Sequence, residues 1–216
     1  MVCNRLRIPS LLFTFYIKMK KERTLVVVKP DGVQRSLIGE VIGRLERVGL
    51  KLVASKFIVA DLDMVEKHYT VDPDWKKKVG TKSLESYKKT DKEAPFSDPV
   101  EMGDFVLNKL KKYISSGPVM AMVWEGAHSV GVVRKIVGGT EPLTSDVGTI
   151  RGDYVHDSYD LSDVDGRSVR NVVHASGSPE EAGVEIKIWF EEKELIDYRL
   201  VQEAILYDVN LDGILE

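Results

Sequence analysis

Short β-branched runs alternate with stretches of helical spacing along most of this chain. Residues 24–28 read as a buried strand, rich in valine and stopped sharply by Pro30, Asp31 and Gly32. Over residues 36–48, Leu37, Val41, Leu45 and Val48 share one helical face. Residues 50–60 read as a second strand, and residues 61–69 as a short helix with Asp61 as its N-cap candidate. Residues 118–124 form a third, nearly continuous apolar strand, followed by a helix over 129–137. Residues 172–174 close a fourth strand. A last helix spans 178–190, with Ser178 as N-cap, Pro179 at its first position and Glu181 as capping-box partner. The order is βαββαβ, the ferredoxin-like pattern.

Two segments interrupt this order. Residues 72–103 are rich in lysine and acid and predict one exposed helix around Trp75–Tyr87 with a thin apolar face. A solvated face explains the Lys76–Lys78 run better than nucleic-acid contact. Residues 157–167 read as a surface loop. There is no internal repeat and no low-complexity tract.

Length and composition narrow the class. With 216 residues the chain fits one well-cored domain, and its net charge of -3 gives no general pull toward nucleic acid. Cys3 is the only cysteine, so no intrachain disulfide can form, which fits a reducing, cytoplasmic setting. The apolar run Leu11–Ile17 between basic residues is too short to span a bilayer and lacks a small-residue cleavage site. Residues 1–21 therefore read as an extension or a misassigned start, with a weak targeting segment or membrane-contacting arm as the functional alternative, Met19 a natural start and residues 22–216 the domain proper.

The candidate chemistry centres on His174, which a short apolar pair delivers into the small-residue turn Ala175-Ser176-Gly177-Ser178 just before a helix. A helix start favours phosphate, and the setting suits a histidine that attacks phosphorus. A packed or solvent-exposed histidine is the plainer alternative. Lys29 lies at the end of the first strand, where ligands often sit in such folds, and Arg151 lies in the glycine-flanked loop Gly148-Thr149-Ile150-Arg151-Gly152-Asp153. Lysine supplies a mobile point charge and arginine a planar fork for phosphate oxygens. Asp153, His156 and Asp157 have no specific metal-ligand spacing, and His128 reads as a helix-start or surface residue.

KPDGV, SGPVMAMVWEG, GTIRGD and NVVHASGS, in that order, resemble the nucleoside diphosphate kinase family over roughly residues 22–198. The two longer segments are similar to those of the longer microbial branch. The resemblance implies an α+β fold, a ferredoxin-like antiparallel sheet with helices on one face and an extra helical insertion. It implies ping-pong transfer of a γ-phosphoryl group from ATP to a nucleoside diphosphate through His174, with Mg²⁺ held mainly by nucleotide phosphates and water. Glu185 is the matched carboxylate that fixes the histidine tautomer, with Ser176 nearby and Tyr69 close to the ring. Lys29, Arg134, Thr140, Arg151 and Asn171 match the phosphate and sugar contacts. A homo-oligomer, hexamer or tetramer, is implied, with nucleoside di- and triphosphates as partners and no membrane association. The base-stacking residue has no clear match; Phe105 is the nearest aromatic, and an aliphatic side chain is the other possibility. A non-catalytic nucleotide- or nucleic-acid-binding module on the same sheet is the competing class.

Overall fold

The computed structural model describes residues 21–89 and 91–207. The apolar run at residues 11–17 lies outside them. Among the described residues four strands, β1 (Glu22–Val28), β2 (Lys51–Val59), β3 (Pro118–Gly126) and β4 (Val173–Ala175), form one sheet in the order β2-β3-β1-β4, all pairs antiparallel. This is the expected ferredoxin-like arrangement. His174 sits in the middle of β4 rather than at its end, opposite Val27.

Strand alternation divides the core in two. Val26, Val28, Met122 and Trp124 point toward α2 (Ile38–Glu46) and α6 (Ser129–Val137), the two crossover helices, which share one face as expected. Leu25, Val27, Ala121 and Val123 point the other way. That second face is covered too, by α3 (Leu62–Tyr69), the end of α5 (Pro99–Ile114) and α9 (Pro179–Trp189). His174, in register with Val27, belongs to this second face.

Local chemistry sets the ends of these elements. Asp61 caps α3 by accepting from the Met64 amide at 2.7 Å. Ser178 caps α9 by accepting from Glu181. The Glu181 carboxylate turns back to this end of the helix, accepting chiefly from the Gly177 amide at 2.7 Å and more weakly from that of Ser178. His128 starts α6 from a left-handed conformation, as its helix-start reading implies. Between β1 and α2 the chain makes one further turn of helix, α1 (Pro30–Gln34).

The inserted segments are more ordered than their composition suggests. The expected exposed helix is present as α4 (Trp75–Lys89), but a second helix, α5, runs against it and was not anticipated. Gly80 and Gly103 permit that contact, since a Cβ on either would overlap a carbonyl of the opposing helix. Residues 157–167 are not a loop: they contain α8 (Tyr159–Val164), with Ser158 capping it through the Leu161 amide. Lys92 pairs with Asp160 at 2.7 Å, and Tyr87 meets Asp163, so the two insertions clasp each other. Among the described residues no helix is long and apolar enough to cross a membrane.

One tight packing contact holds the site strand. A Cβ on Gly32 would come within 2.8 Å of both the Val172 carbonyl oxygen and Val28 Cγ1. Gly32→Ala should therefore push residue 172 outward and cost about 1–3 kcal/mol, as overpacking does. Urea unfolding reads this as a lowered midpoint; an unchanged midpoint would mean the contact is not limiting.

Candidate active site

Asn171, Val172 and Val173 form a turn that aims His174. Val172 has φ +54, a left-handed conformation that a buried β-branched residue adopts only under strain. The Val173 amide donates to the Asn171 carbonyl at 2.6 Å, closing a three-residue γ-turn. Remote groups hold it there. The Lys29 amide donates to the Val172 carbonyl at 2.8 Å, and Asp31 Oδ2 accepts from the Val172 amide at 3.2 Å. Tyr113 donates its hydroxyl to Asp31 Oδ1 at 2.6 Å and accepts from the Asn171 amide at 3.3 Å.

Beneath His174 lies a buried carboxylate. Glu185, 1 % exposed, reaches His174 from α9. His174 Nε2 is buried and stands 3.0 Å from Glu185 Oε1, though turned off the line that a formed hydrogen bond needs. Catalytic hydrogen bonds often align only when substrate binds. The Ser176 hydroxyl donates to Glu185 Oε2 at 2.6 Å, so Ser176 braces the carboxylate and not the imidazole. Burial raises the Glu185 carboxyl above its usual range, against the Ser176 bond and the nearby His68. Burial also pushes His174 well below the ordinary imidazole value, helped by the charges of Lys29, Arg151 and Arg134. The ring is neutral at physiological pH.

A cavity of about 600 Å³ opens in front of the histidine, a size that suits a nucleotide. All nine residues named from the sequence are in or directly behind it: Lys29, Tyr69, Arg134, Thr140, Arg151, Asn171, His174 and Glu185 line it, and Ser176 supports Glu185. Lys29 Nζ donates to Asn171 Oδ1 at 2.6 Å, and Asn171 Nδ2 donates to the Thr140 carbonyl at 2.9 Å. Burial, with Arg151 close by and Asp31 opposing, lowers the Lys29 ammonium to about 7. Arg151 departs from expectation. Its fork is not open: it donates to the carbonyls of Asn171, Gly138, Gly139 and Val173, at 3.2, 3.0, 2.8 and 2.6 Å. Four bonds on a group with five N–H donors leave it mainly a brace and a fixed charge. Arg134 is exposed at the cavity wall.

Three residues escaped sequence reasoning. His68, beside the expected Tyr69, is the closer ring: its centroid is 4.4 Å from that of His174, against 6.4 Å for Tyr69. Trp189 donates to His68, and Tyr113 orders the Asn171 turn. A histidine buried on the core face of α3 was the one available signal. Among the described residues, His68, His174 and Glu185 form the group whose ligand atoms could hold a metal. Asp153 and Asp157 instead pair with Arg44 and Arg167. The cavity is also lined by Phe105, Val106 and Leu110 of α5, by Ser168 and Val169, and by Tyr87 of α4 and Asp163 of α8.

Known proteins share this constellation's chain. The nucleoside diphosphate kinase family profile matches residues 22–80 and 86–195. A nucleoside diphosphate kinase of Pyrobaculum aerophilum is 45 % identical over 183 residues, 83 % of this chain and 100 % of its own. One from Borreliella burgdorferi is 40 % identical over 190 residues, 88 % of this chain and 99 % of its own. The solved P. aerophilum NDP kinase superposes with a TM-score of 0.79 at 42 % identity, covering 82 % of this chain and 100 % of that one. The B. burgdorferi enzyme, a transition-state mimic with bound vanadate and ADP, gives 0.73 at 39 % identity over 88 % and 98 %. A Halobacterium salinarum enzyme in complex with CDP gives 0.63 at 34 % identity over 87 % and 99 %. With this agreement along nearly the whole domain, the chain belongs to the nucleoside diphosphate kinase family.

Proposed function

We propose that this phosphotransferase carries the γ-phosphoryl group of a nucleoside triphosphate on His174 Nδ1 and passes it to a nucleoside diphosphate entering the same cavity. The observation that carries this reading is the single contact between buried His174 Nε2 and Glu185 Oε1. With Nε2 turned into the protein, Nδ1 is the nitrogen left for the cavity. Its lone pair attacks phosphorus, the bond to the bridging oxygen breaks, and the diphosphate leaves. Positive charge spreading to Nε2–H is met by the carboxylate already in place. The second half reverses these bonds with a new diphosphate. That relatives have been captured with vanadate and ADP, or with CDP, supports a nucleotide in this cavity.

In this reading Lys29, Arg134 and Arg151, on the cavity lining, supply positive charge to the phosphates, and Asn171 and Thr140, on the same lining, contact the sugar. Mg²⁺ prefers oxygen ligands. The group formed by His68, His174 and Glu185 offers two nitrogens and one carboxylate, buried, and does not fit a dedicated Mg²⁺ cage. The ion in this reading arrives with the nucleotide, on phosphate and water. A cytoplasmic homo-oligomer, hexamer or tetramer, with its domain starting at Glu22 completes the proposal. Phe57 and Val59, 56 % and 65 % exposed on edge strand β2, support a contact between copies.

The direct test is His174→Ala incubated with γ-labelled ATP. Labelling of an acid-labile, comparatively base-stable phosphoenzyme should vanish, and turnover should fall by roughly four or more decades. A normally labelled variant would assign the carrier elsewhere.

Lys29 generates a pH-dependent signature. Its ammonium is held down to about 7 in the free protein, and a polyphosphate beside Nζ favours the charged form. Nucleotide binding at pH 8 should therefore take up about one proton, and at pH 6 almost none. Calorimetry in two buffers of different ionisation enthalpy measures the uptake. Equal enthalpies in both buffers at pH 8 would mean Lys29 stays neutral or was already charged.

A further inference from the structure

His68 lines the cavity beside His174, and the Trp189 ring packs edge-on against His68. Both are nearly enclosed, at 5 % and 2 % exposure. Glu185 and Trp189 are four residues apart on α9 and so share one face of it. The Trp189 indole nitrogen lies 3.3 Å from His68 Nδ1. An indole nitrogen can only donate. His68 Nδ1 must therefore present a lone pair, which leaves the ring's proton on Nε2. Enclosure, with the neighbouring His174, lowers this imidazole to about 3, so it takes no second proton near neutrality.

The consequence falls on Glu185. The same His68 Nδ1 is 3.4 Å from Glu185 Oε1. With the indole proton already directed at it, Nδ1 has none to give, and two acceptors face each other. Oε2 is taken by the Ser176 hydroxyl. The donor left for Oε1 is His174 Nε2, 3.0 Å away. Were His68 protonated on Nδ1, it would donate to Oε1 itself and compete with His174. The carrier could then hold its proton on Nδ1, the nitrogen required to attack.

We infer that Trp189 and His68 form a tautomer lock: by filling His68 Nδ1, the indole keeps Glu185 Oε1 for His174 and thereby keeps the His174 Nδ1 lone pair in the cavity. This rests on the reading of His174 as carrier. Both are positioning residues, since neither is required to touch the nucleotide.

The lock predicts an unusual sign. Trp189→Phe lets His68 move its proton to Nδ1 and donate to Oε1. His68→Phe leaves the Trp189 N–H without an acceptor and free to turn toward Oε1. Each single variant diverts the carboxylate, and the double variant holds neither competing donor. In single-turnover phosphorylation each single change should slow the rate about tenfold, the order of one lost hydrogen bond, with nucleotide affinity little changed. The double variant should be faster than either single. A merely structural role predicts the opposite, a double variant at least as slow as the worse single, and that result would overturn the lock. Should the variants not fold, ¹⁵N–¹H correlation spectra of the labelled unsubstituted protein decide the matter. At pH 7 both His68 and His174 are expected as neutral rings protonated on Nε2. A His68 proton on Nδ1 would sink the proposal. These spectra read the tautomers whether or not His174 carries phosphate. A labelled His174→Ala phosphoenzyme would thus remove the carrier reading without being mistaken for failure of the lock.

Discussion

A carboxylate buried under a neutral imidazole is the constraint around which this site is built. Glu185 is 1 % exposed, and burying it charged without partners would cost several kcal/mol. The fold bonds Ser176 to one oxygen and brings His174 Nε2 to 3.0 Å of the other, not yet aligned as a hydrogen bond, with no cation among the described residues in direct contact. The site therefore keeps an unused electrostatic capacity in its resting state. It is drawn upon only when His174 acquires charge during phosphoryl transfer, which is how a preorganised site lowers a barrier without reorganising. The charges of Lys29, Arg151 and Arg134 act in the complementary direction. They keep His174 unprotonated while they await phosphate.

Holding that geometry requires strain elsewhere. Val172 sits at φ +54, an arrangement its side chain disfavours. Lys29, Asp31 and the glycine at 32 hold the turn from one segment and Tyr113 from another distant one. Arg151 ties the same turn to the loop at Gly138 and Gly139. Several residues matched to ligand contacts are thus also structural. Lys29 reaches the site through its ammonium and fixes Val172 through its backbone, and Arg151 gives most of its donors to carbonyls. A loss of activity on replacing either mixes both effects, so binding and transfer have to be read separately.

Much of this was legible in the sequence. The valine-rich β1, the apolar face of α2 and the caps Asp61 and Ser178 carry local signals, and the structure follows them. Ordered motifs brought His174, Glu185, Lys29, Arg134, Thr140, Arg151, Asn171 and Tyr69 to one cavity. What was missed depends on contacts between remote segments. Helix α8 has six residues, too few to show periodicity, and its Ser-Asp composition reads as loop. Helix α5 did carry a start signal in Asp98 and Pro99, but its lysines masked the apolar positions. Nothing local reveals that Trp189 reaches His68 across 121 positions, or that an apolar pair ending a strand contains a γ-turn. The bend at Val172 runs against its own propensity, so propensity could not have found it.

The central claim is that His174 turns Nε2 to Glu185 and offers Nδ1 to phosphorus. The bond itself can be read. Brief reaction of ¹⁵N-histidine-labelled protein with ATP, followed by NMR of the phosphoenzyme through nitrogen–phosphorus coupling, identifies the phosphorylated nitrogen. The account predicts coupling to Nδ1 of His174 with the proton retained on Nε2. Phosphorus on Nε2 would contradict it, because that nitrogen is the one buried against the carboxylate.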